Sequence, residues 1–238
     1  MLYLRALLFY LGYWLATLLI GSLCLFLFLF PKSIARCFIL FWINFVLFWL
    51  RACCGVSVEL HGNVKALAEP CVIVANHQSP WETFFFQRYF VPLSTILKKE
   101  LLKIPFFGWG LKLMQPVAID RSNPVQALKQ IKAQGVDRVK SGNHLLVFPE
   151  GTRRPVGELG DYKRSAADVA QQAGAAIIAV AHNAGQHWPN KKFVKQPGKI
   201  QVIISEPFVS EGQSTKALMN SIQNWTQKQL EEIYAGQK

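Results

Sequence analysis

Acidic residues are scarce in this chain: 14 Asp and Glu stand against 26 Lys and Arg, giving a formal net charge of +12. Charged residues of both signs make up only 17% of the sequence and apolar residues 51%, which excludes a disordered or mucin-like chain. The 16 glycines and 12 prolines are too few for a collagen-like or linker sequence. The 5 cysteines are an odd number without a C-x-x-C pair, which argues against a disulfide framework or a zinc site.

The apolar residues are concentrated at the N-terminus. No charged residue occurs in 6–30, and a second uncharged run covers 37–50, between Arg36 and Arg51. As a helix the first run reaches roughly 37 Å, enough to cross a hydrocarbon core of ~30 Å, whereas the second reaches about 21 Å and favours an interfacial or re-entrant helix. A cleaved signal peptide is the competing interpretation, but the first run exceeds the ~7–15 residues of an h-region and no A-x-A site follows.

This division predicts membrane-anchoring helices in 1–54 and one globular domain in 55–238. Basic residues flank the apolar segments: Arg5, Lys32, Arg36, Arg51 and, further on, Lys65. Such flanking charges favour the cytoplasmic side and anionic headgroups. We therefore expect attachment to the cell inner membrane or another cytoplasm-facing membrane, with the globular domain in the cytoplasm.

Past residue 55 the sequence turns to short runs rich in Val and Ile, bounded by turn or polar residues, which is typical of buried strands. The predicted strands are 56–61, 71–75, 94–97, 115–119, 144–148, 175–181 and 199–204. Helical patterns occupy 80–90, 124–141, 165–173 and 215–234. Alternating strands and helices predict a single α/β domain, with a mixed, mostly parallel sheet flanked by helices.

Polar clusters directly follow three of these strands. They are residues 76–82 (N-H-Q-S-P-W-E), 120–122 (D-R-S) and 148–154 (F-P-E-G-T-R-R). Polar strand ends in one sheet line one edge, where these clusters would bring together a histidine base, carboxylates and several arginines. The other histidines, His61, His144, His182 and His187, have no matching partner pattern and are interpreted as structural.

The pair His77 and Glu82 would point about 140° apart on one regular helix, because they are five residues apart at ~100° per residue. Ser79, Pro80 and Glu82 suit the N-cap, first and third positions of a helix start. His77 would then lie in the preceding loop, free to fold back over the first turn. The same residues also permit a purely structural interpretation, in which Glu82 is a capping-box carboxylate and His77 a loop histidine.

With these blocks the chain resembles the glycerolipid acyltransferase family over roughly residues 55–210. The family's N-H-x-x-x-x-D block is matched by 76–82, its I/F-D-R block by 119–121, and its F-P-E-G-T-R block in full by 148–153. A fourth, apolar block corresponds to 177–180. The order and spacing of the blocks also fit the family.

Three residues or segments depart from the family pattern. Glu82 replaces the usual Asp, and its carboxylate is one methylene further out. Ala179 replaces a Pro, which changes the backbone rather than the chemistry. Residues 162–165 read Y-K-R-S where the family often has F-K-x-G, a change that bears on the acceptor pocket.

The resemblance implies transfer of a fatty acyl group from an acyl thioester to the sn-2 hydroxyl of 1-acyl-glycerol-3-phosphate, giving phosphatidic acid. An alcohol is a poor nucleophile at neutral pH, so a base must take its proton, and a histidine with an unperturbed pKa of about 6.5 suits that role. His77 would be the general base and Glu82 would orient its ring. An acylated Ser79 is a minor alternative, because the chain has no G-x-S-x-G motif.

The resemblance also implies a set of substrate-binding residues. The expected set is Arg121, Glu150, Gly151, Thr152, Arg153, Lys98 and Lys163. Arg121 and Arg153 would bind the acceptor phosphate, which suits the planar guanidinium, and Glu150 would order the loop or a glycerol hydroxyl. Lys98 and Lys163 are weaker candidates. The alternative for the two arginines is surface charge or an ion pair with Asp120 or Glu150.

The expected partners are a lysolipid acceptor, a membrane, and acyl-CoA or acyl carrier protein as donor; no cofactor or metal is expected. A basic surface would attract the acidic carrier protein or the phosphates of coenzyme A. Nucleic acid is not expected, because no helix-turn-helix, RNP-like or OB-like signature is present. Two other functions stay open: an acyltransferase for a lyso-ornithine lipid or other lysophospholipid, and a non-catalytic lipid-binding membrane module.

Overall fold

A computed structural model of the chain describes residues 1–62, 69–120 and 122–236. Two long N-terminal helices, α1 (Leu2–Leu27) and α2 (Lys32–Cys54), precede the sheet. The strands are β1 (Val56–Gly62), β2 (Val72–Ala75), β3 (Leu93–Lys98), β4 (Val117–Ile119), β5 (His144–Val147), β6 (Ile177–His182) and β7 (Gly198–Ile204). The remaining helices are α3 (Trp81–Tyr89), α4 (Phe107–Leu113), α5 (Pro124–Lys140), α6 (Ser165–Ala173), α7 (Ala184–His187) and α8 (Thr215–Ala235), with a 3-10 turn at Lys99–Lys103.

The strands form one sheet in the order β1-β7-β6-β2-β5-β3-β4. Neighbouring strands are parallel except β6 and β7, which are antiparallel. This confirms the predicted mixed, mostly parallel sheet. In the centre, Ile73 of β2 pairs with Leu146 of β5 and with Ile178 of β6. Because these three strands are parallel, the residues that follow each of them meet at one edge of the sheet.

Alternate residues of the central strands pack into two different cores. Ile73 packs with buried side chains of α1, α2 and α3, among them Leu50 and Trp81. Its neighbours Val72 and Val74 pack on the opposite face, with side chains of α5, α6 and α8. Burial on both faces explains why these strands are short continuous apolar runs rather than alternating ones.

Helix α4 and the short helix α7 were not predicted from the sequence. The sequence of α4, F-G-W-G-L-K-L, contains two glycines, and glycine is among the poorest helix formers. Packing explains both glycines of α4. A Cβ at Gly108 would lie 2.6 Å from the carbonyl oxygen of Leu102, and one at Gly110 would lie 3.1 Å from a methyl of Ile39. Close approach to neighbouring elements therefore outweighs local helix propensity here.

The expectation that the second apolar segment is too short to span a membrane is wrong. Helix α2 has 23 residues, because it continues through the charged residues on both sides of the uncharged run. Both α1 and α2 are long and apolar enough to cross a membrane, by length and composition. Large apolar side chains on their outer faces, such as Leu11, Phe41 and Phe48, are exposed. The helices share a core with α3 and the sheet, and the boundary at residue 54 stays a prediction.

A buried lysine connects the segment between α7 and β7 to helix α1. The Lys195 side chain is 1% exposed, and its Nζ donates to the Tyr10 hydroxyl at 2.8 Å and to the carbonyls of Phe193 at 2.7 Å and Lys192 at 3.1 Å. Burial lowers the pKa of Lys195 to about 8, from an ordinary value of 10.5. Between these values the unfolded chain binds more protons than the folded one, so stability rises with pH.

We therefore predict that the free energy of unfolding gains a contribution from Lys195 as pH rises from about 8 to about 10.5. Urea unfolding in detergent across this range, for the parent and for Lys195→Met, measures that contribution. The variant lacks the titrating amine, so its stability should rise less with pH than that of the parent. Equal pH slopes for the two proteins would contradict the prediction.

Candidate active site

The loop after β2 carries His77 back over the first turn of α3, as its position before the helix predicts. Its Nδ1 lies within hydrogen-bond distance of Oε1 of Glu82. One face of the imidazole stacks on the Phe148 ring, with centroids 4.0 Å apart and planes at 16°. The ring is thus held between a carboxylate and an aromatic side chain, and it borders a large cavity.

Glu82 is fully buried and held by backbone amides of its own helix start. Its Oε2 accepts from the N–H of Ser79 at 2.9 Å, and its Oε1 accepts from the N–H of Gln78 at 3.1 Å. The helix begins at Trp81, one residue later than predicted, and the Ser79 hydroxyl accepts from the Trp81 N–H at 3.1 Å. Glu82 therefore makes the capping contact and the histidine contact together, so the two interpretations of this residue are not exclusive.

The electrostatic environment of Glu82 combines opposing effects. Burial raises the pKa of Glu82 well above its ordinary value, because the charged form loses its hydration. The positive charge of Arg153 and the amides of Ser79 and Gln78 act in the opposite direction and favour the carboxylate. A carboxylate held in this way interacts strongly with a positive charge on His77, since little water screens the pair.

Glu150 joins the loop after β5 to the loop that carries His77. Its Oε1 accepts from the N–H of His77 at 2.7 Å, and its Oε2 accepts from the N–H of Gly160 at 2.9 Å. The two loops are also joined directly, because the Arg154 N–H donates to the His77 carbonyl at 2.7 Å. Burial raises the pKa of Glu150, and these two amides and Arg154 oppose the rise. The Glu150 carboxylate is thus turned toward the backbone and orders the loop.

The structure brings most of the other expected substrate-binding residues to the same cavity. The lining includes Gly151, Thr152, Arg153, Lys98 and Lys163. Gly151 has a φ of +72°, and a Cβ there would lie 3.1 Å from Nζ of Lys163, so a side chain at 151 would be strained and would crowd the lysine. Arg121 and Lys65 lie outside the described residues. Asp120, next to Arg121 in sequence, pairs with Lys99, which lowers the pKa of its carboxyl.

The cavity has a volume of about 1560 Å³ and is lined by residues of two kinds. Apolar and aromatic side chains come from the N-terminal helices and from α4 and α5: Tyr13, Trp14, Ile20, Trp42, Leu111 and Leu128. Basic side chains come from the loops beside His77, such as Arg153 and Lys163, and from the end of β3, Lys98. The cavity therefore suits an amphiphilic ligand with a long apolar part and an anionic head.

The sequence assigns α1 and α2 to a membrane anchor outside the globular domain. In the structure, side chains of both helices also line the cavity beside His77. Two of the aromatic residues among them, Tyr13 and Trp42, have ring centroids 6.2 Å apart, and each also contacts Phe84 of α3. A long apolar run carries no local signal that one of its faces borders a cavity.

Known proteins share both the sequence and this architecture. Residues 57–183, more than half of the chain, match the model of a family described as Acyltransferase. The chain thus belongs to the acyltransferase family, as the resemblance of its motifs predicts. Over 195 residues it is 44% identical to the 1-acyl-sn-glycerol-3-phosphate acyltransferase of Pseudomonas aeruginosa, an alignment that covers 81% of this chain and 76% of that protein.

A more distant relative and a solved structure also resemble this chain. The 1-acyl-sn-glycerol-3-phosphate acyltransferase of Saccharomyces cerevisiae is 34% identical over 145 residues, and the alignment spans 56% of this chain and about half of the yeast protein, 48%. The crystal structure of PlsC from Thermotoga maritima, a 1-acyl-sn-glycerophosphate (LPA) acyltransferase, superposes with a TM-score of 0.79 at 26% identity. It covers 98% of this chain and 95% of that one, so the fold includes both N-terminal helices.

Proposed function

We propose that the protein transfers a fatty acyl group from an acyl thioester to the sn-2 hydroxyl of 1-acyl-glycerol-3-phosphate and so forms phosphatidic acid. The observation that carries this proposal is the contact of His77 Nδ1 with the buried Glu82 carboxylate at the edge of a large, partly apolar and partly basic cavity. The names of the relatives support the same substrate. The exposed apolar faces of α1 and α2 support attachment to a membrane, and the basic residues that flank these helices favour its cytoplasmic side.

In this mechanism His77 is the general base and no acyl-enzyme forms. Its Nε2 takes the proton of the sn-2 hydroxyl while the hydroxyl oxygen attacks the thioester carbonyl carbon, forming the C–O bond. The tetrahedral intermediate then collapses and the C–S bond breaks. The departing thiolate is protonated by the imidazolium, which returns His77 to its neutral form. Glu82 holds Nδ1–H and stabilises the positive charge that His77 gains for part of the cycle.

The basic residues of the cavity have the role of holding the acceptor phosphate. Arg153 and Lys163 border the cavity, and Arg121 joins them by its place in the family pattern. The thioester donor is acyl-CoA or acyl carrier protein, and the net charge of +12 favours approach of either anionic partner.

Arg153→Ala tests the phosphate assignment. We expect the preference for 1-acyl-glycerol-3-phosphate over 1-acylglycerol, measured as the ratio of the two kcat/KM values, to fall by roughly 10- to 100-fold, because a charge-assisted hydrogen bond is lost only with the phosphorylated acceptor. Taking the ratio cancels the effect of Arg153 on Glu82, which is common to both acceptors. Arg154→Ala is the matched control, since this side chain lies 3.8 Å from Glu150 instead. An unchanged ratio in Arg153→Ala would refute the assignment.

A different lysolipid is the second candidate acceptor, because the segment that departs from the family pattern borders the cavity. Tyr162, Lys163, Arg164 and Ser165 all contribute to its lining. A panel of lysophosphatidic acid, lysophosphatidylethanolamine and lyso-ornithine lipid, each with the same labelled acyl thioester, decides between them. A product formed only from one of the latter two would keep the mechanism and replace the acceptor. No transfer to any acceptor would favour a non-catalytic lipid-binding module.

A further inference from the structure

A second buried histidine lies directly behind Glu82. His182, the last residue of β6, is 0% exposed, and its Nε2 lies 2.9 Å from the carbonyl oxygen of Asn76 and 3.4 Å from Oε2 of Glu82. Oε1 on the other side of the same carboxylate contacts Nδ1 of His77. Glu82 is therefore placed between two imidazole rings, one at the cavity and one in the core.

The neighbours of the His182 ring fix which nitrogen carries its proton. The N–H of Ala184 donates to Nδ1 of His182 at 3.3 Å, so Nδ1 acts as an acceptor. Burial lowers the pKa of His182 to about 4, and the hydrogen bond to the Asn76 carbonyl opposes that effect without outweighing it, so the ring is neutral near pH 7. In this tautomer the proton sits on Nε2 and is hydrogen-bonded to the Asn76 carbonyl, while Oε2 of Glu82 lies 3.4 Å from the same nitrogen.

Two hydrogen bonds hold the backbone at His182 without involving its ring. The Asn76 side chain donates to the His182 carbonyl at 3.0 Å and accepts from the His182 N–H at 3.0 Å, which ties the ends of β2 and β6 together. These two bonds use main-chain atoms of residue 182 and persist with any side chain there. The ring of His182 has the separate effect of placing a donor beside Glu82.

We propose that His182 is a positioning residue: its Nε2–H group, 3.4 Å from the inner oxygen of Glu82, attracts and confines that oxygen and thereby keeps the outer oxygen directed at Nδ1 of His77. The proposal rests on the function proposed above, in which Glu82 orients His77. A glutamate side chain has three rotatable torsions, so amide contacts at the helix start alone leave the carboxylate more freedom than contacts from two sides. The groups with charge or a titrating proton that face Glu82 are His77, His182, Arg153 and Glu150.

Two conservative variants separate the contact with Glu82 from the contact with Ala184. In His182→Gln, the amide nitrogen of the glutamine lies near the position of the histidine Nε2 and can donate to Glu82, but the acceptor for the Ala184 N–H is lost. In His182→Asn, the amide oxygen of the asparagine lies near the position of the histidine Nδ1 and can accept from the Ala184 N–H, but the donor near Glu82 is lost. We expect kcat to fall roughly 10- to 100-fold in His182→Asn with KM for the lysolipid unchanged, and to recover by most of that loss in His182→Gln.

A double-mutant cycle shows whether His182 acts through Glu82. In the Glu82→Gln background, replacement of His182 by Asn should lower kcat by much less than in the parent, because the carboxylate that His182 positions is absent. His144→Asn is the matched control for loss of a buried histidine, since His144 contacts Cys71 on the neighbouring strands and not Glu82. Its kcat per folded molecule, measured with circular dichroism as the folding check, should equal that of the parent.

The outcomes distinguish this inference from the proposed function. Full activity of His182→Asn, or equal losses from His182→Asn in the two backgrounds, would overturn the positioning role while leaving His77 and Glu82 intact. A His182→Gln variant less active than His182→Asn would assign the effect to Ala184 and also overturn it. Failure of the proposed function would appear instead as a parent enzyme whose activity survives His77→Ala.

Discussion

Replacing His77 with alanine lowers kcat for acyl transfer by roughly 10²–10⁴-fold, the range that a general base contributes. The expectation follows from geometry: the imidazole is held by Glu82 on one side and stacked on Phe148 on the other, at the edge of the cavity. The variant should still fold and bind lipid vesicles, because His77 lies in a loop and its backbone contacts with Glu150 and Arg154 persist in alanine.

Initial rates with a labelled acyl thioester, together with circular dichroism and vesicle sedimentation, measure these effects. His61→Ala is the matched control, since His61 is an exposed histidine beside Glu59 on the first strand. It should have the parent rate. A His77→Ala protein that folds, binds vesicles and retains the parent kcat would show that the base lies elsewhere.

Glu82→Gln is expected to lower kcat by about 10²–10⁴-fold, nearly as much as loss of His77. Glutamine keeps the length of the side chain, but it is neutral and its amide nitrogen cannot accept from the donors that surround the carboxylate. Those donors are the amides of Gln78 and Ser79 and the two imidazoles. The imidazolium of the transition state then lacks a negative partner, and the histidine tautomer is no longer fixed.

Glu82→Asp is the informative comparison, because it keeps the charge and shortens the reach by one methylene. We expect its kcat to lie between that of the parent and that of Glu82→Gln. Steady-state rates at saturating acceptor and donor, with thermal unfolding as a check on stability, measure the series. If Glu82→Gln were as active as the parent, the carboxylate would have no part in the reaction and its contact would be the capping interaction alone.

Much of the site was predictable because the signals that encode it are local. The helix-start residues Ser79, Pro80 and Glu82 predict where α3 begins to within one residue, and that start is what leaves His77 in a loop. The continuous apolar runs of β2, β5 and β6 predict strands buried on both faces, which places their polar ends at one edge. The family and the sheet were therefore predictable from the sequence and are confirmed.

What the sequence does not encode locally is contact between distant segments. Asn76 and His182 are 106 residues apart, so nothing in either neighbourhood indicates that the two pair or that His182 reaches Glu82. The glycines of α4 weaken its helical pattern for a reason found only in the packing against Leu102 and Ile39. Charged residues at the ends of α2 mark the end of an apolar run but not of a helix, and for that reason its length was underestimated.

The proposed activity of this protein is acylation of the sn-2 hydroxyl of a lysophosphatidic acid. The most direct test supplies the purified protein in lipid vesicles with 1-acyl-glycerol-3-phosphate and labelled acyl-CoA or, separately, labelled acyl carrier protein. We expect labelled phosphatidic acid from at least one donor. Phospholipase A2 should release the label, because the labelled acyl group is at sn-2. Absence of labelled phosphatidic acid with both donors, from protein shown to be folded, would contradict it.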